Sequence, residues 1–108
     1  MDNNINNSNQ ESNNKIQNYN SISIKHFNES GPSLIHTETN LDSQDVYEQA
    51  VDAAFNTTGF GLQHWEFLER SYECKERVLS ELYRFREEDG SYYQLKFSRE
   101  LNNSVNKS

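Results

Sequence analysis

"YRFREEDGSYYQLKF", residues 83–97, sets five aromatics within fifteen residues around an Asp-Gly turn signal. If Glu88-Asp89-Gly90 forms a three-residue loop with Gly90 left-handed, Phe85 faces Tyr93, Tyr83 faces Leu95, Glu81 faces Phe97 and Leu79 faces Arg99. One face then collects Leu79, Tyr83, Phe85, Tyr93, Leu95 and Phe97. The other collects Arg84, Arg86, Tyr92, Gln94 and Lys96, with Leu82 the one aliphatic side chain among them. A single register that sorts apolar from polar side chains in this way is what a hairpin with one buried face requires. Tyr92 alone points the wrong way. Glu81 is the other exception: a carboxylate on the buried side needs Arg77 or Arg99 as a partner, or a raised pKa, unless it reaches solvent at the open end of the hairpin.

Immediately upstream, residues 62–82 read two ways. Their Glu, Leu, Lys and Arg content favours helix over 62–75, as do Glu66/Arg70, Glu73/Arg77 and Arg77/Glu81 at i,i+4 spacing. Trp65, Leu68 and Tyr72 would then share a face. A strand from Trp65 to about Tyr72, with another beginning near Arg77, is the competing reading.

Residues 40–61 carry the clearest helix signals. Asp42 is the expected N-cap, Asp45 stands where a carboxylate meets the positive end of the dipole, and Leu41 and Val46 occupy the positions of a hydrophobic staple. Tyr47, Ala50, Val51 and Ala54 form the expected apolar stripe, Asp42, Asp45, Glu48 and Asp52 the exposed side, and Gly59 or Gly61 the stop. Farther upstream, "YNSISIKHF" alternates at the two-residue period of a half-buried strand. "NESGP" supplies turn residues, and "SLIHTET" reads as a second strand, giving an N-terminal hairpin.

Nine of the first twenty residues are Asn, and such a segment buries too little apolar surface to offset the entropy of ordering it. The expected organisation is a disordered leader over residues 1–18, one α+β domain over 19–101 and a disordered tail over 102–108. The domain is a small antiparallel sheet with one or two helices packed on one face. A core of this size supplies only about 3–5 kcal/mol, so a partner or a second copy is expected to help, and a homodimer formed through an exposed strand edge is one form of it.

The formal net charge is −7, with thirteen of seventeen acids between Asp42 and Glu100, which opposes binding of nucleic acid by the surface as a whole. The lone Cys74 excludes an intrachain disulfide and suits a reducing compartment. No secretory pattern opens the sequence and no eighteen-residue apolar run occurs, so a cytoplasmic protein away from membranes is expected. His26, His36, His64 and Cys74 lack the short spacings of metal sites, so neither a metal nor a cofactor is expected. Two acids, Glu73 and Glu76, flank Cys74 and blunt it as a nucleophile, and ten residues separate it from His64. Gly59-Phe60-Gly61 lacks the context of a phosphate loop.

The leading expectation is a non-enzymatic acidic binding protein, a regulator, inhibitor or adaptor, that contacts another protein. Its candidate contact residues are Arg84, Arg86, Tyr92 and Lys96 on the outer hairpin face and Asp45, Glu48 and Asp52 on the helix. Arg86 beside Tyr92 is also a candidate cross-strand cation–π pair. The rival is a ligand-binding or catalytic α+β cone with a pocket lined by Trp65, Glu81, Tyr83, Phe85 and Tyr93.

Overall fold

The computed structural model describes residues 19–101; the expected leader and tail lie outside the described residues. In chain order the elements are β1 (Ser21–Asn28), β2 (Gly31–Glu38), a 3₁₀ turn (Ser43–Asp45), α1 (Val46–Thr58), a second 3₁₀ turn (Leu62–His64), β3 (Glu66–Glu73), β4 (Val78–Arg86) and β5 (Tyr92–Glu100). The strands form one antiparallel sheet in the order β2-β1-β5-β4-β3. Because β2 and β3 are opposite edges, the chain between them must cross the sheet, and α1 makes that crossing over one face. The fold is α+β with one helix among the described residues.

The β4–β5 hairpin has the register its loop dictates: Phe85 faces Tyr93, Tyr83 faces Leu95, Glu81 faces Phe97 and Leu79 faces Arg99. Gly90 is left-handed (φ +94°), a conformation that costs a side chain steric strain, and its N–H donates to the Glu87 carbonyl at 3.1 Å. Asp89 Oδ1 accepts from the Ser91 N–H (2.9 Å) and hydroxyl (2.6 Å), which fixes the loop and holds the Asp89 carboxyl below its usual range.

The core is a layer of Ile22, Ile24, Leu95 and Phe97 from the two central strands, covered by Val46, Ala50, Ala53 and Ala54 of α1 and closed by Leu62 and Trp65. Small alanines let the helix approach the sheet closely. Each fully buried large side chain stabilises the fold by about 1.5–3 kcal/mol. Gly59 ends the helix in the left-handed conformation (φ +87°), its N–H donating to the Phe55 carbonyl at 2.7 Å. Asn20, within the Asn-rich stretch, is buried instead and bridges two segments: its amide donates to the Leu41 carbonyl and accepts from the Glu100 N–H, both at 2.8 Å.

Several expectations are corrected. Residues 66–73 are a strand, because the charges that could pair along a helix pair across strands instead: Glu66 with Arg84, and Arg70 with Glu81. Asp42 starts a 3₁₀ turn and Asp45 precedes α1, and neither side chain makes a capping bond. The buried helix stripe is rotated toward Val46 and Ala53, leaving Tyr47 49% exposed. Apart from these corrections, both sheet edges carry a bulge, and β2 also carries Pro32.

Gly90→Ala is expected to lower stability by about 1–2 kcal/mol in urea unfolding, since the added Cβ meets no neighbour and only the backbone conformation resists it. An unchanged midpoint would contradict the loop geometry.

Candidate functional site

Among the strands, α1 makes its main contacts with β5 and β1, so the helix-side face of β4 and β3 is left as an open shelf. Its floor is Glu81 and Tyr83 of β4. Phe67, Arg70 and Tyr72 of β3 border it on the edge side, and Tyr47 borders it on the helix side. Phe67 and Tyr83 meet edge-on at 5.5 Å, Tyr83 stacks on Phe97 at 6.2 Å, and Tyr47 meets the edge of Phe97 at 6.0 Å. Tyr47, Phe67 and Tyr72 each remain about half exposed, at 49, 50 and 49%.

The polar group in this strip is Glu81, only 7% exposed. Its Oε2 accepts from Arg70 Nε at 2.8 Å and its Oε1 from the Tyr83 hydroxyl at 2.6 Å. The partner is therefore Arg70, not Arg77 or Arg99, and the Glu81 side chain is largely buried rather than open to solvent. Arg70 lies on the neighbouring strand directly opposite Glu81, whereas Arg99 belongs to the adjacent row. The Arg70 guanidinium also sits 5.7 Å from the centre of the Phe67 ring. Burial, and then the hydrogen bond to Glu81, push the Tyr83 phenol well above the usual range, so it stays protonated as a donor.

The other expected site residues fall into three places. Trp65, Phe85 and Tyr93 form a ring cluster at the end of the sheet away from Glu81, with Trp65 to Phe85 at 5.5 Å and Trp65 to Tyr93 at 6.5 Å; the indole N–H donates to the Phe60 carbonyl at 3.2 Å. Trp65 is a core residue. Arg84, Arg86, Tyr92 and Lys96 do share the outer face, but the bare basic patch expected there is modified by Glu66. Arg84 grips Glu66 through Nε and Nη2, both at 3.1 Å, and holds that carboxyl below its usual range; Arg86 approaches it at 3.9 Å. The cation over Tyr92 is Arg84, at 5.8 Å, rather than Arg86. Tyr92 points outward because Phe27 does too, and the two rings stack at 4.9 Å. Glu48 and Asp52 are exposed on α1 and Asp45 is half-buried before it.

The histidines are separated: His26 packs on Tyr93 at 4.6 Å, His36 contacts Glu38 at 2.6 Å and His64 meets Phe60 at 5.8 Å. No cluster of three metal-ligating side chains occurs among the described residues. Cys74 is exposed beyond the end of β3, and that eight-residue strand keeps it on the order of 25 Å from His64, too far for proton exchange. No helix among the described residues is long and apolar enough to cross a membrane.

Sequence reasoning missed Phe67, Arg70, Tyr72 and Phe27 as surface-forming residues. The bulge between Phe67 and Glu69 explains most of this, since it puts Phe67, Arg70 and Tyr72 on one face at spacings that break the two-residue period. No protein-family model, curated protein or solved structure matches the chain.

Arg70→Ala should destabilise the fold by about 1–2 kcal/mol, between the values for exposed and buried pairs, because Arg70 is itself largely exposed while Glu81 is not. The raised Tyr83 pKa gives a pH signature. Its contribution is complete below the unfolded-state value near ~10 and is lost as pH rises through the folded value. Tyr83→Phe should therefore flatten the loss of stability above pH ~10, measured by denaturant midpoints across alkaline pH. An unchanged slope would show that Tyr83 is not the group held protonated.

Proposed function

We propose that this chain is a non-enzymatic protein-binding module whose partner lies along the shelf between α1 and β3. The observation that carries the reading is the half-exposure of Tyr47, Phe67 and Tyr72 on one strip over a rigid, hydrogen-bonded floor. Aromatic side chains with an arginine among them are the residues enriched in interface centres, and contiguous exposed apolar patches on soluble domains mark contact surfaces. The strip lies on one helix and two paired strands, so a partner binds without the chain first having to order it. A regulator, inhibitor or adaptor acting by occupancy needs nothing more.

The outer hairpin face is the less supported surface for the same role, because Arg84 is already engaged by Glu66 and its ring partner Tyr92 by Phe27. Mass spectrometry of the native protein with its co-purifying partner separates the two surfaces. The double variant Phe67→Ser/Tyr72→Ser should lose that partner while keeping its melting transition, and Arg86→Ala/Lys96→Ala should retain it. The opposite pattern would move the contact to the outer face, and retention by both variants would remove the shelf from the account.

A further inference from the structure

We infer that the shelf receives a basic segment of its partner, an arginine or lysine flanked by apolar residues, and that Arg70 occupies the seat of that cation until the partner displaces it; this rests on the shelf being the contact surface. A buried carboxylate beside aromatic faces is the recognition set for a guanidinium or ammonium group. Glu81, Tyr83 and Phe67 supply that set, and the cation now held in it is the chain's own.

The two arginine–glutamate pairs that hydrogen-bond between β3 and β4 differ in a way that identifies the exchangeable one. Arg84 binds Glu66 with two nitrogens, and its side chain is only 23% exposed. Arg70 binds Glu81 through Nε, and its side chain is 62% exposed although the carboxylate beneath it is buried. The first pair is locked on the arginine side. In the second the buried member is the acid, so an incoming cation can take over the carboxylate while Arg70 swings into water. The swap exchanges one charge-assisted hydrogen bond for another, so it is nearly balanced in itself. The gain comes from the partner's apolar flanks covering Tyr47, Phe67 and Tyr72. Charge complementarity favours the same occupant: the chain carries −7, and Glu48 and Asp52 lie exposed on the helix beside the shelf, a field that attracts basic segments and repels acidic ones.

The test uses the full chain and a fluorescent synthetic peptide of alternating leucines and arginines, with binding read by anisotropy at physiological salt. Glu81→Gln and Asp52→Asn change net charge equally, so their difference isolates the seat from the general field. Glu81→Gln should weaken binding about tenfold and Asp52→Asn less than about twofold, while Arg70→Met, which removes the competing cation and keeps the stem, should tighten it about threefold. Equal effects of the two neutralised acids would overturn the proposal, as would weakening or no change in Arg70→Met. Should Glu81→Gln fail to fold, Arg70→Met decides alone. Failure here with loss of the native partner in Phe67→Ser/Tyr72→Ser would refute the basic occupant and leave the shelf in place; retention of the native partner by that variant would refute the shelf itself.

Discussion

The two-residue period of the β4–β5 hairpin is the constraint on which the other features depend. Once Gly90 closes a three-residue loop, each residue of both strands is committed to one face. Leu95 and Phe97 go under the helix, and Glu81 goes to the same face on β4, beside it. A carboxylate committed to the inner side by register must find donors, and the donors available are the tyrosine two residues along its own strand and the arginine opposite it on β3. Charge pairing in this protein is thus a consequence of strand register, and it helps hold the edge strand in place.

The crossover explains why part of the inner face stays open. The chain leaves β2 at one edge and must begin β3 at the other, with a single helix of thirteen residues to make the passage. Its alanine face packs tightly on the central strands, and a helix about 10 Å wide does not also cover β4 and β3. Five strands under one helix leave a strip of sheet whose aromatic side chains are packed from below and open above. That combination of a packed floor and exposed rings is what supports the proposal that the strip, rather than the sheet's outer face, is the contact surface.

Much of the fold was legible in the sequence because it rests on local rules. The hairpin register followed from one glycine and strict alternation, and the N-terminal hairpin and the helix, with Gly59 as its stop, followed from periodicity and turn residues. Strand β3 was legible only as the second of two readings, for a definite reason. Its bulge puts Phe67, Arg70 and Tyr72 on one face at spacings of three and two, which breaks the strand period, while Trp65, Leu68 and Tyr72 and the pair Glu66/Arg70 stand at helical distances from one another. Only tertiary pairing decides such a segment. The site suffered most, since Arg70 and Phe67 lie on that strand. Glu81 was recognised as a buried acid, but its partner could not be named until its neighbouring strand was known. Tyr47 was misplaced more simply: a one-residue rotation of the buried helix stripe moved it from the core to the flank.

The bulged strand is therefore where fold and proposed function meet, because it alone brings an aromatic ring, a cation and a second ring onto one side of an edge. Nuclear Overhauser contacts across β3 and β4 test that arrangement most directly. The account predicts cross-peaks between the Phe67 and Tyr83 rings, whose centres lie 5.5 Å apart, and between the Arg70 side chain and the Phe67 ring. Strong sequential amide–amide contacts through residues 66–73 with no Phe67–Tyr83 cross-peak would instead describe a helix, and would contradict both the shelf and the role assigned to it.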